Sequence, residues 1–180
     1  MFIARLPLPS LPLLFVLFLF MSCGSGVRAF KVDLVPLQDG FRGTFHDPPY
    51  RSHERNPIGN SLLSVLSIFE ANADTATLQL ESSGALHITY HMDGAERTKT
   101  YQGRFSKRGF FEYRPWWHRV QIPPLVPFIY SSERYCRVRI ALTIEGDLVV
   151  DNKWARDGNI LFLAGGSSGR SQYYFHAVNK

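Results

Sequence analysis

The chain has 180 residues, of which 45% are hydrophobic, 14% aromatic and 19% charged; this excludes an intrinsically disordered protein. With a leader set aside, that length leaves room for one domain, large enough to fold without disulfide staples. Twenty basic residues against 15 acidic ones give a net charge of +5, which fits a mildly cationic surface or attraction to an anionic partner.

The first segment, Met1 to Met21, carries one cation, Arg5, ahead of the apolar run Leu11 to Met21. Pro7, Pro9 and Pro12 interrupt its front half, and the unbroken part is shorter than the roughly twenty apolar residues a spanning helix needs. It reads as a secretion signal. Only two cysteines occur, Cys23 and Cys136, and there is no Asn-x-Ser/Thr acceptor, a pattern easier to place in a bacterial envelope than in a eukaryotic secretory product.

Phe20-Met21-Ser22-Cys23 resembles the lipobox of bacterial lipoproteins, with a small residue directly before the cysteine and Phe20 where leucine is usual. The resemblance covers these four residues and the leader. It implies cleavage before Cys23, a diacylglycerol thioether on its sulfur and acylation of the new amino terminus. Gly24 in place of aspartate implies the outer membrane as destination. Residues 1–22 are then the signal peptide, 23–29 a flexible tether beginning Gly24-Ser25-Gly26, and 30–180 the folded domain. A lipid of this kind holds firmly because each buried methylene adds about 0.8 kcal/mol and two or three chains act together. The alternative is cleavage after Val27-Arg28-Ala29, which removes Cys23 and releases a soluble protein.

Residues 27–56 carry little periodicity beyond Phe30 to Val35, which alternates as a short strand would. His46, Asp47, His53 and Glu54 flank the paired prolines of a loop and lack helical ligand spacing; no metal is assigned to them. Asn56-Pro57 is a helix start signal, with Asn60 a second cap. Leu62, Val65, Leu66 and Phe69 recur at helical spacing opposite an uncharged serine face, so the spacing predicts a helix near 57–70 packed in the core.

From Thr75 onward the pattern is β. Leu86, Ile88, Tyr90 and Met92 alternate with polar residues, as do Val138, Ile140, Leu142 and Ile144. Ser83-Gly84, Asp93-Gly94, Gly146-Asp147, Asp157-Gly158 and the stretch Gly165 to Gly169 read as turns. The expectation is a mainly β fold: an antiparallel meander of about eight strands, as a barrel or two-sheet sandwich, with one packed helix.

Gly165-x-Ser167-x-Gly169 has the letters of a nucleophile elbow, but a strand pattern follows where a helix is required, and no acid lies between Ser167 and His176. It reads as a hairpin loop. His87 and His91 share a strand face about 13 Å apart, too far for one metal ion. The region 97–119 is the most unusual: Arg104, Lys107, Arg108, Arg114 and Arg119 alternate with aromatics that include Trp116 and Trp117. Cations beside aromatic faces suit polyanions, and in an envelope protein an anionic lipid or glycan is a better match than nucleic acid. Residues 115–130, with four prolines, read as an apolar loop that could receive a protein partner. The leading expectation is therefore a non-enzymatic, lipid-anchored binding or scaffolding protein at a membrane face, with no cofactor. The alternatives are a secreted barrel carrying an apolar ligand and a hydrolase using His118 or His176 with a carboxylate.

Overall fold

The computed structural model describes residues 34–55, 61–69, 73–106, 110–122, 130–161 and 163–178. The leader, Cys23 and the tether therefore lie outside the described residues, as do Lys107 and Arg108.

The domain is mainly β, and all its ladders are antiparallel. Among the described residues eleven strands are present: β1 (Leu34–Val35), β2 (Arg42–His46), β3 (Arg51–Arg55), β4 (Thr75–Leu80), β5 (Ala85–Met92), β6 (Ala95–Phe105), β7 (Phe111–Tyr113), β8 (Trp117–Ile122), β9 (Tyr130–Thr143), β10 (Leu148–Ile160) and β11 (Leu163–Phe175). They form one sheet in the order β2-β4-β5-β6-β7-β9-β10-β11-β3, with β1 and β8 both pairing β9. The sheet is not closed into a barrel. Its ends approach through a single bridge, Phe45 to Ala177, and two hydrogen bonds: His46 N–H to the His176 carbonyl and Val178 N–H to the Thr44 carbonyl.

The strand count exceeds eight for identifiable reasons. Residues 34–55 supply three short strands, two of them rich in charged or polar residues, which depend on neighbouring ladders and, in β2, on the buried ring of Phe45. Residues 117–122, read as loop, are β8, in register with β9 from Trp117↔Tyr135 to Ile122↔Tyr130. Asp157-Gly158 and Gly165 to Gly169 are not turns; they face each other inside the β10–β11 ladder, whose turn lies at Leu161. Ile144 ends the alternation of β9 early, standing 71% exposed in the turn.

Strand β6 joins two ladders. Residues 95–102 pair with β5 and residues 103–105 with β7, so the strand changes neighbours at Gly103. The ring of Phe111 lies against Gly103, where a Cβ would collide with it and would also come within 2.7 Å of the Glu112 carbonyl. The turns at Asp93-Gly94 and Gly146 are as expected, with positive φ at each.

The one helix among the described residues, α1 (Leu62–Val65), is a single turn. Ser61 caps it, exchanging hydrogen bonds with Ser64, while the Asp47 carbonyl and carboxylate accept from Leu62 and Leu63 N–H. The predicted start at Asn56-Pro57 and the cap at Asn60 lie outside the described residues. The predicted end is too late: Ser67 takes a left-handed φ of 71°, and Phe69 is 60% exposed instead of joining the core. Serine and β-branched residues give a helix here little intrinsic support, so packing decides its length.

That packing is complete. Leu62, Leu63, Val65 and Leu66 are fully buried against Leu78, Ile88, Val138, Ile140 and Phe175 from the sheet, each worth roughly 1.5–3 kcal/mol of transfer from water. The carbonyls that α1 leaves open at its end are met by the sheet. Asn152 Nδ2 donates to Val65 (2.8 Å), Tyr113 Oη to Leu66 (3.1 Å) and Tyr101 Oη to Ser67 (3.3 Å). Helix and sheet are thus coupled by apolar contact and by three directed hydrogen bonds.

Candidate functional site: a cationic row on the outer sheet face

Strand alternation sends Val138 and Ile140 of β9 into the core and leaves Arg137 and Arg139 on the opposite face. Register then assembles a row across four strands: Arg104↔Glu112↔Arg139↔Asp151, from β6, β7, β9 and β10. The charges alternate in sign along it, the arrangement cross-strand neighbours favour. Arg139 Nε donates to Glu112 Oε2 at 2.8 Å, and Arg170 from β11 grips Asp151 through Nε and Nη2, both at 2.8 Å.

Two residues further along the same face the signs no longer alternate. Arg137, Lys153 and Arg170 stand directly opposite one another on β9, β10 and β11. Like charges in register repel, and the neighbouring row brings two carboxylates, Glu112 and Asp151, to offset them. Arg114, which follows β7, adds a further cation beside Glu112. An open cleft of about 530 Å³ lies at one end, lined by Arg104, Phe105, Ser106, Glu112, Arg114, Arg137 and Arg139. A second depression of about 360 Å³ shares Arg104, Glu112 and Arg114 with it.

Glu112 is the electrostatic centre of the cleft. Burial by itself pushes its carboxyl up, but the Arg139 hydrogen bond and the charges of Arg137, Arg139 and Arg104 together outweigh that. The group is held below the usual carboxylate range. Its capacity is nonetheless too small for its neighbours. Arg137 Nε lies 3.9 Å from Glu112 Oε2, beyond hydrogen-bond reach, and among the described residues this buried N–H has no hydrogen-bond acceptor. A buried donor, four guanidinium groups and a cleft suit an anionic oxygen cluster, which Arg binds in a planar, bidentate manner.

The seven contact residues expected from 97–119 separate in space. Arg104 and Arg114 line the cleft. Lys107 and Arg108 lie outside the described residues. Trp116 packs against the core cluster, whereas Trp117 is 57% exposed, its indole N–H donating to Glu133 Oε1. Arg119 is exposed on β8 opposite Glu133. Between them Phe111 and Tyr113 are buried and Tyr101 stacks on Tyr113 with ring centroids 4.7 Å apart, so many aromatics of the region build the interior. Arg137, Arg139, Lys153 and Arg170 do not stand out in the sequence, because only register brings Arg137 and Arg139 beside Arg104 and aligns Lys153 and Arg170 with Arg137.

The histidines divide as well. His87 bonds Glu81 and Thr100 on the solvent face of β5, and His91 is exposed. His176 has the carboxylate neighbour the hydrolase reading requires: its Nδ1 lies 3.3 Å from Asp147 Oδ2. Tyr50 stacks on the imidazole with centroids 3.8 Å apart and donates its hydroxyl to the same carboxylate oxygen. Burial, then the Asp147 charge, push the Tyr50 phenol up to about 12. Asp147 also accepts the Ala177 N–H, so the group ties the β9–β10 turn to the segment after β11. Among the described residues no serine, threonine or cysteine side chain is hydrogen-bonded to His176, and the cluster reads as a structural clasp.

Comparison with known proteins returned no match: no protein-family profile, no curated protein and no solved structure aligns with the chain.

Proposed function

We propose that the protein is a non-enzymatic binding protein of the bacterial envelope, held at the outer membrane by lipid on Cys23, which engages an anionic oxygen-bearing group in the arginine cleft of its outer sheet face. The observation that carries the binding half is the excess of guanidinium groups around one carboxylate, with the Arg137 Nε–H buried and without an acceptor. The anchor half rests on the leader and the lipobox-like Phe20 to Cys23. The ligand class is a phosphate-bearing lipid headgroup of the membrane to which the tether confines the domain, with a polyanionic glycan as the second reading.

Two experiments test the halves separately. Metabolic labelling with a fatty acid, wild type beside Cys23→Ser, is expected to label only the wild type; equal label in both, or none in either, overturns the anchor. Binding to phosphatidylglycerol vesicles and to heparin, wild type beside Arg137→Gln, tests the cleft, with Arg97→Gln as a surface control. Loss of vesicle binding in Arg137→Gln alone supports the lipid reading, loss of heparin binding alone favours the glycan, and unchanged binding to both removes the cleft from the proposal.

A further inference from the structure

Strands β8 to β11 run on well beyond the core. The last part of this four-stranded wing has a second face, opposite the arginine row, whose chemistry changes sharply along its length. Register places Ile122, Tyr130, Ile160 and Leu163 in one line across all four strands. The three aliphatic residues are 57%, 61% and 81% exposed, and Leu161 in the adjoining turn is 56% exposed. Paired side chains in a ladder share a face, so these form a continuous apolar edge and not scattered surface residues. The sequence joining β8 to β9 at 123–129, Pro-Pro-Leu-Val-Pro-Phe-Ile, contains no polar residue.

Behind this edge, on the same face, comes a line of small residues, Ser132, Gly158 and Gly165 with Val120, and then a line of basic side chains. His118, Arg134 and Arg156 stand in register there, all exposed. Four residues separate the two lines, about 13 Å at the usual rise per strand residue. Trp154 follows two residues further, with the Arg156 guanidinium 6.0 Å from its ring centroid. No carboxylate occurs on this face from the apolar line to the basic one; Glu133 and Asp157 are both on the other side. An apolar leading edge with a collar of arginine, histidine and indole behind it matches the vertical profile of an anionic lipid leaflet.

We propose that the tip of the β8–β11 wing inserts into the lipid bilayer, with Ile122, Ile160, Leu161 and Leu163 in the acyl region and Arg134 and Arg156 at the phosphates. This deepens the reading of the protein as a membrane-face binding protein. It does not depend on the lipid at Cys23 or on the arginine cleft, and it gives the domain a fixed orientation on the surface.

The test uses the full chain carrying Cys23→Ser. Position 163 is labelled through Leu163→Cys with an environment-sensitive fluorophore, and Glu96→Cys on β6 serves as a remote control; Cys136 is buried and free. On vesicles of phosphatidylcholine with phosphatidylglycerol, the expected result is a blue shift and quenching by nitroxide lipids at 163 with neither at 96. Adding Arg134→Glu and Arg156→Glu is expected to weaken the response about tenfold or more. Absence of a shift at 163 while the chain co-sediments with vesicles overturns the proposal. So does a shift that appears without vesicles and grows with protein concentration, which identifies a second copy as the occupant. A chain that passes this test yet shows no effect of Arg137→Gln loses the cleft and keeps the tip.

Discussion

Asn152, fully buried on β10, donates its side-chain amide to the carbonyl of Val65 at 2.8 Å and accepts the Cys136 thiol on its Oδ1 at 3.3 Å. One amide thus satisfies the end of α1 and a cysteine that has no disulfide partner among the described residues. Replacing Asn152 with alanine strands the Val65 carbonyl in an apolar interior. The expected loss is about 1–3 kcal/mol, read as a lower urea midpoint at unchanged slope. Tyr113→Phe, which removes the donor to Leu66, is expected to fall in the same range.

Gly103 and Gly165 both sit in strands and should respond oppositely to alanine. At Gly103 the added methyl meets the Phe111 ring and, at 2.7 Å, the backbone oxygen of Glu112, which cannot rotate away. A loss of about 1–3 kcal/mol is expected from overpacking. At Gly165 nothing lies within 4 Å, and alanine should be neutral or stabilising by up to about 1 kcal/mol through the unfolded chain. Thermal unfolding of the two variants beside wild type checks the contrast; equal effects would mean that β6 does not pass beneath Phe111 as described.

Glu112 makes stability depend on pH with a definite sign. Its folded-state pKa is depressed, so its contribution is fully present above the usual carboxylate value and is lost as pH falls through the lowered folded value. Glu112→Gln is therefore expected to be less stable than wild type at neutral pH, by about 1–3 kcal/mol for the lost charged hydrogen bond, and to converge with it in acid. The same variant leaves the surrounding arginines with less compensation and should bind phosphatidylglycerol vesicles more tightly. Urea titrations at neutral and acid pH, with vesicle binding at neutral pH, report both effects.

Cys136 is expected to resist thiol reagents in the native protein. It is 1% exposed, and burial raises its thiol pKa against the lowering effect of hydrogen bonds with Ser67 and Asn152. Reaction with a disulfide reagent at mildly alkaline pH should proceed at the rate of global unfolding and accelerate in Asn152→Ala. Rapid labelling of native protein at Cys136 would contradict the burial.

The mainly β, antiparallel fold with one core-packed helix was legible because β5 and β9 alternate cleanly and their turns carry Asp-Gly and Gly-Asp pairs. β3 and the outer part of β11 were not legible. Arg51 to Arg55 has no apolar member, and Leu163 to Gly169 is rich in glycine and serine, so neither segment has intrinsic strand preference; the β10 and β11 ladders impose it. The candidate site was half legible for a similar reason. Arg104 and Arg114 stood out in a contiguous basic and aromatic stretch. Arg137, Lys153 and Arg170 come from three separate strands, and a shift of one residue in pairing would send each to the other face. Likewise the line Ile122, Tyr130, Ile160 and Leu163 exists only through register.

The bridge between Phe45 and Ala177 has a consequence for biogenesis. Thr44 and His46 find partners in residues 176–178, so β2 forms its outer hydrogen bonds with a segment far along the chain. A nascent chain therefore keeps that seam unsealed until residues 176–178 have been made. Contacts of such long separation form slowly, so the outer edge of β2 is among the last hydrogen-bonded seams of the sheet to close.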